Sequence, residues 1–180
     1  MKKVLFLVAV LVMSISAMAQ TVIYDKTNQA GVRTVVCSGM NLGVANNMDM
    51  YVALAGFQYK STVRYSLAVT IGSGHEVEIP QDGKCLLTLG NGKVIDLPTV
   101  TGGASVLQSI DVEMSEVYQT FQRFAYYNIK AKELKKISKS GIVQIQIQLS
   151  PADYSMSFNQ DVLGTKLIDS MTLINSIFGK

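Results

Sequence analysis

The sequence has no tryptophan, one histidine, two cysteines and three prolines in 180 residues, and only 16% of its side chains are charged. One histidine and two cysteines are too few to close a structural zinc site unless a carboxylate joins them. A glycine-rich phosphate loop followed by a helix and a dinucleotide fingerprint are both missing. We therefore predict no metal site and no cofactor.

The N-terminal segment has the three parts of a secretory signal. Lys2 and Lys3 precede an uninterrupted apolar run over residues 4–13, and Ala17 and Ala19 provide the small residues that signal peptidase requires. A retained membrane anchor would need about 20 apolar residues. We predict cleavage after Ala19, leaving a single domain over residues 20–180 in the periplasm or outside the cell, with no membrane span.

Cleavage also changes the charge of the chain. Without Lys2 and Lys3, the 16 basic residues fall to 14, against 13 acidic ones. The mature protein is then nearly neutral and has no overall field that would attract nucleic acid. We expect no nucleic-acid partner.

The two cysteines, Cys37 and Cys85, both fall in strand-like runs. In an oxidising compartment they could form a disulfide, but cysteine is also a common buried apolar residue. No spacing rule links the two, so both alternatives stay open. Three neighbouring methionines, Met40, Met48 and Met50, have no histidine or cysteine at ligand spacing and are interpreted as core or loop residues.

Residues 84–97 give the clearest structural pattern, two strands joined around Gly90, Asn91 and Gly92. A three-residue loop with Gly92 in the left-handed conformation pairs Cys85 with Leu97. That register places one apolar set on one face, namely Cys85, Leu87, Leu89, Ile95 and Leu97. It predicts that Cys85 points into the core.

Further segments have the composition or alternation of strands. They are residues 21–24, 32–37, 50–59, 63–71, 75–79, 107–114 and 143–149. Over residues 63–71 the alternation places Arg64, Ser66, Ala68 and Thr70 on the face opposite the apolar residues. Residues 118–129 fit neither the strand period nor the helix period cleanly, so a short helix is the alternative there, and we favour a strand. Residues 39–47 are interpreted as a loop, and Gly56 as the site of a β-bulge. Alternation at 143–149 predicts Val143, Ile145 and Ile147 facing inward, and this strand would offer backbone groups to a partner if it lay at a sheet edge.

Two segments have helical patterns. Residues 132–140 combine apolar positions with lysines on the other side, and Gly141 is expected to end this helix. Residues 159–178 carry an apolar stripe, with Ser157 and Gln160 as a candidate capping box. Together these elements predict an α+β fold: a mostly antiparallel, meander-like sheet with a short lysine-rich helix and a C-terminal amphipathic helix packed on it.

The candidate site residues are few. His75 follows Ser73 in a glycine-rich turn, but the spacing lacks the G-x-S-x-G pattern of a nucleophile elbow. The lysines of the first helix, Lys132, Lys135, Lys136 and Lys139, form a local basic patch that would suit an anionic polymer or glycan, or would simply be solvated. Eight tyrosines offer contact area for sugars or proteins, although packing within strands explains most of them.

Four segments resemble small exported proteins of Bacteroidetes-type bacteria. They are the signal ending in AMAQ, the hairpin LTLGNGKVIDL, the stretch AYYNIKAKELKKISKSGIVQIQIQL and the closing LIDSMTLI. The resemblance implies export and this fold, and it assigns no activity and no functional residue.

These observations favour a secreted, non-enzymatic module that binds a protein, peptide or glycan at the cell envelope. One alternative is a hydrolase built around His75 with Ser73, Glu76 or Glu78. Another is a structural protein that associates with itself through edge strands.

Overall fold

The fold was analysed in a computed structural model that describes residues 20–100, 102–113 and 116–180. The predicted signal peptide lies outside these residues. The fold is α+β, and it consists mostly of antiparallel strands with two helices. The first strands are β1 (Val22–Thr27), β2 (Arg33–Cys37), β3 (Met40–Ala45), β4 (Met48–Tyr59), β5 (Thr62–Ser73), β6 (Glu78–Ile79), β7 (Lys84–Leu89) and β8 (Val94–Pro98). The later elements are β9 (Gly103–Ala104), β10 (Val106–Glu113), β11 (Glu116–Ile129), α1 (Ala131–Ser140), β12 (Ile142–Ile147), β13 (Tyr154–Ser157) and α2 (Val162–Ile177).

A seven-stranded sheet has the order β1-β2-β4-β5-β11-β10, and β3 also pairs with β4. Its centre is the long hairpin of β4 and β5, which pair without interruption from Met48 opposite Ser73 to Tyr59 opposite Thr62. The prediction of a loop over residues 39–47 is wrong. These residues contain β3, whose asparagine and glycine are accommodated by a register shift between Asn41 and Gly43.

The predicted hairpin belongs to a second sheet, with the order β13-β12-β7-β8. Cys85 pairs with Leu97, and Leu87 with Ile95. The loop is closed by the N–H of Gly92 donating to the carbonyl of Leu89 at 2.9 Å, and Gly92 has a φ of 80°. The three-residue turn and the buried face are both confirmed, because all five apolar side chains of that face are buried.

Strand β12 differs from the sequence prediction at Val143, and it is not an edge strand. Its register shifts between Ile142 and Gln144, so Ile142 is buried while Val143 is 38% exposed. The bulge moves Val143 out of the predicted inward series. Because β12 lies between β7 and β13, it is an interior strand and not an edge.

Helix α1 ends at Gly141, whose N–H donates to the carbonyl of Ile137 at 2.8 Å. Helix α2 begins after Asp161, whose Oδ1 accepts the N–H of Gly164 and the N–H of Ile142, each at 2.8 Å. The predicted capping box of Ser157 and Gln160 is wrong. Asp161 caps the helix and ties its start to the beginning of β12.

A single cluster of buried apolar side chains fills the space between the two sheets and the helices. Met48 and Met50 belong to it, as the sequence predicted, and Met40 packs against it. Both cysteines are buried and free, so the disulfide alternative is wrong for this structure. Cys37 lies on the large sheet, where its thiol approaches the carbonyl of Ser170 on α2 at 3.7 Å, whereas Cys85 lies on the small sheet.

Gly56 lies in the centre of β4 within regular pairing, so the predicted bulge is wrong. A Cβ at this position would lie 2.4 Å from Cγ2 of Ile174 and 3.0 Å from Cε2 of Phe178. The glycine therefore lets α2 approach the sheet closely.

Candidate functional site

The two faces of the large sheet differ. On β4 and β5, Leu54 and Leu67 point into the core, and alternate residues point to the opposite face. Residues of this opposite face include five aromatic side chains on two strands. These are Tyr51, Phe57, Tyr59, Phe124 and Tyr126, which we call the aromatic face.

Three of these rings form a contiguous cluster across β4 and β11. The rings of Phe57 and Tyr126 are 5.7 Å apart at 78°, and those of Phe124 and Tyr126 are 4.9 Å apart at 90°. Edge-to-face geometry of this kind is favourable for aromatic pairs. Since Phe124 remains 48% exposed, the cluster is only partly covered by the protein itself.

A cavity of about 610 Å³ opens on this face. Its lining combines aromatic and polar side chains from three adjacent strands, namely Phe57, Tyr59, Arg64, Ser66, Tyr126 and Asn128. We call it the aromatic cavity. Val32, at the β1–β2 turn, and Val100, after β8, also line it. Chain segments outside the three strands therefore help to enclose the space.

Small side chains occupy the aromatic face of the central strands. Ala53 pairs with Ala68, and Ala55 pairs with Ser66, all on the aromatic face. Ser66 also pairs with Asn128 on β11. Ala55, Ser66 and Ala68 are buried although they lie on this face. Of these residues, Ser66 and Asn128 line the cavity, which is a depression between larger side chains.

Tyr126 is in a partly desolvated position in this depression. Burial, and then the nearby phenol of Tyr24, raise the pKa of Tyr126. Its main-chain carbonyl accepts the N–H of Val100 at 2.8 Å, which fixes the segment after β8 beside the cavity. The ring is held in place by both its backbone and its aromatic neighbours.

Arg64 provides the only permanently charged group in the lining of the aromatic cavity. It pairs directly across the strands with Phe57. A second cavity, of about 290 Å³, shares Arg64 and Asn128 and adds Lys130 and Ala131 at the start of α1. The two cavities therefore meet at Arg64 and Asn128, and neither lining contains a carboxylate.

The structure places His75 in the bend between β5 and β6. The hydroxyl of Ser73 accepts the backbone N–H of His75 at 3.0 Å and also contacts the carbonyl oxygen of His75. Ser73 thus makes a local turn with the backbone of the histidine and not with its ring. Glu76 and Glu78 are exposed. Among the described residues, no hydrogen bond joins the ring of His75 to any of these three side chains.

The four candidate lysines, Lys132, Lys135, Lys136 and Lys139, are all exposed on α1. Leu134 and Ile137 form the buried side of that helix. The lysines are not part of either cavity lining.

Metal and membrane sites were considered over the same part of the chain. Within the described residues, no group of three or more His, Cys, Asp or Glu side chains is close enough to hold a metal ion. In that same part, no helix combines the length and apolar character needed to cross a membrane.

The aromatic cavity was not predicted from the sequence, although part of the signal was present. Alternation over residues 63–71 placed Arg64, Ser66, Ala68 and Thr70 on a face opposite the core. The residues of β11 showed no clear period, because Tyr126 and Tyr127 each point to a covered surface, one on either side of the sheet. Aromatic residues on both faces of one strand indicate that the second face is also used.

Comparisons of the chain with family models, with curated proteins and with solved structures find no match. The resemblance to small exported proteins stays a prediction.

Proposed function

We propose that this protein is a secreted, non-enzymatic binding module of the cell envelope, and that the aromatic cavity is its ligand site. The observation that carries the proposal is a cavity of about 610 Å³ whose lining combines three aromatic side chains with apolar and polar groups. Ligand sites typically have volumes of about 300 to 1,000 Å³ and this mixed lining. Export, predicted from the N-terminal segment, would place the site where it meets envelope or extracellular molecules.

The rest of the fold supports the site in this proposal. Burial of Leu134 and Ile137 on α1, and of Leu167 and Ile174 on α2, favours two amphipathic helices packed on the core side of the structure. The aromatic face is then left open to solvent. A rigid sheet with its core on one side and its ligand on the other requires little rearrangement on binding.

The proposal is tested with phenyl-naphthylamine, an uncharged fluorescent probe whose emission rises in apolar sites. The protein should bind it saturably. Tyr59→Ala should weaken binding severalfold, because the ring of Tyr59 lines the cavity. Tyr51→Ala is the matched control, since Tyr51 lies on the same strand and face and is 48% exposed against 50% for Tyr59, but it is outside the lining.

Equal effects of the two substitutions, or no saturable binding, would contradict the proposed site. Mass spectrometry of the protein purified from its native host envelope then identifies the natural ligand class. A bound small molecule supports the proposal.

Self-association is a second candidate, favoured by the edge strand β10. Among the described strands, β10 is the last of the large sheet, and Val106, Leu107 and Ile110 on it are exposed. Sheet edges with exposed apolar side chains are templates for pairing with a second chain. Light scattering across a concentration series should detect a dimer that Ile110→Lys weakens. Val94→Lys on β8, the edge of the small sheet, is the comparison, and a monomer at all concentrations would exclude this candidate.

A further inference from the structure

We infer that the ligand of the aromatic cavity is an amphipathic anion, whose apolar body packs on the rings and whose carboxylate, sulfonate or sulfate group binds Arg64. This inference rests on the proposed function and adds the chemical class of the ligand. It follows from the position of Arg64, whose guanidinium has no acidic partner among the described residues.

The guanidinium of Arg64 has no hydrogen bond or ion pair with any of the described residues. Two other cations of the sheets do pair with acids: Arg33 lies 2.7 Å from Asp25, and Lys84 lies 2.8 Å from Asp96. Arg64 is positioned on a cavity wall and has no such acid. It therefore offers its complete set of donors to a ligand.

The surroundings of Arg64 are positive. Lys130 is the other permanent charge in the two linings, and it lies in the cavity that shares Arg64 and Asn128. The acidic residue nearest to Lys130 in the sequence is Glu133, whose Oε2 accepts the backbone N–H of Lys130 at 2.7 Å. That carboxylate is already used in the capping of α1. An anion at Arg64 would therefore meet two cations and the amide of Asn128.

The apolar part of the ligand has a defined place beside this charge. Phe57 is directly opposite Arg64 on the neighbouring strand, and Tyr126 packs against Phe57. The side chains of Phe57 and Arg64 are therefore neighbours on the aromatic face. A guanidinium can bind two oxygens of one anionic group through two parallel hydrogen bonds, which fixes the orientation of the attached body.

The test compares two probes with one ring skeleton. Anilinonaphthalene sulfonate carries a sulfonate, and phenyl-naphthylamine lacks it. We expect the sulfonate to bind about tenfold more tightly to the unmodified protein, in line with the contribution of a charge-assisted hydrogen bond. Arg64→Met, which keeps an unbranched apolar stem and removes the guanidinium, should abolish this preference and leave phenyl-naphthylamine binding nearly unchanged.

Lys136→Met is the matched control. It removes one positive charge from an exposed position on α1, outside both cavities, and should leave the preference unchanged. Circular dichroism of each variant checks that the fold is retained.

The outcomes separate the two proposals. If neither probe binds saturably, the proposed function fails and this inference fails with it. If both probes bind equally to the unmodified protein, the cavity is a ligand site without anion preference and only this inference is overturned. If the sulfonate preference persists in Arg64→Met, or disappears equally in Lys136→Met, the anion is not recognised by Arg64, which also overturns it.

Discussion

Replacement of Gly56 by alanine tests the close approach of α2 to the large sheet. The added methyl group would lie 2.4 Å from Cγ2 of Ile174 and 3.0 Å from Cε2 of Phe178. Real Cβ atoms essentially never approach a neighbour within 3.0 Å, so α2 or its side chains must move. Overpacking of a core in this way typically costs about 1 to 3 kcal/mol.

A second effect acts in the opposite direction. Glycine within a strand is less favourable than alanine by about 0.5 to 1 kcal/mol, because the unfolded chain loses more conformational freedom. The net loss of unfolding free energy for Gly56→Ala is therefore about 0 to 2.5 kcal/mol, with a midpoint of about 1 kcal/mol. Urea unfolding followed by circular dichroism is sensitive enough to measure it.

Gly72 provides the matched control. It lies in β5, and a Cβ there would meet only the carbonyl oxygen of Asp49, at 4.0 Å. Gly72→Ala should be neutral or slightly stabilising, because alanine is favoured over glycine in a strand and no clash opposes this gain there. Equal stabilities of the two variants would refute the packing argument.

A double-mutant cycle identifies the clashing partner. Ile174→Ala alone should cost about 2 to 5 kcal/mol through the cavity it leaves. With Gly56→Ala, the new methyl group fills part of that cavity, so the double variant should be more stable than the sum of the two losses predicts. Additive losses would show that Ile174 is not the obstacle.

Three further predictions concern groups described above. Burial raises the pKa of both cysteine thiols, so Cys37 and Cys85 should resist a thiol reagent in the native protein and both react in denaturant; a protein with no reactive thiol after unfolding would contradict the free state. Burial raises the pKa of Tyr154 from 10.0 to about 12. The stability that the neutral phenol contributes is complete below about pH 10 and should be lost as the pH rises towards about 12. In alkaline unfolding measurements, Tyr154→Phe should therefore lose less stability over this range than the unmodified protein. Asp161→Ala should lower the unfolding free energy by about 1 to 3 kcal/mol, measured in urea, because it removes the cap of α2 and an acceptor for the N–H of Ile142.

Sequence patterns predicted the elements that one local rule determines. The β7–β8 hairpin was predicted in its register because only one loop length sorted its side chains by polarity. Gly141 was identified as the residue that ends α1 because it follows the last helical residue directly. The strand β5 was found because the apolar residues of 63–71 alternate cleanly, whereas residues 118–129, which form β11, fitted neither period and were favoured as a strand.

Two of the errors have a common physical cause, which is contact between distant parts of the chain. Gly56 is explained by α2, more than a hundred residues away, and not by a bulge in its own strand. Val143 leaves the predicted face because β12 shifts register against β7. Asp161 was overlooked for a local reason, because the helix was predicted to begin at residue 159 and it begins at Val162.

The candidate site was less predictable than the fold. Each lining residue of the aromatic cavity is ordinary within its own strand, and Arg64 alone looks like a solvated arginine on a half-buried strand. Only the pairing of β4, β5 and β11 brings Phe57, Arg64 and Tyr126 to one place. That pairing depends on strand order, which alternation along a single strand does not encode.

The small side chain of Ser66 has a consequence for the evolution of this fold. Ser66 lines the aromatic cavity, on a strand whose other face forms the core. A substitution at Ser66 would reshape the cavity while the opposite face keeps the sheet folded. Related chains could therefore diverge in the size of ligand they accept by changing a small lining residue.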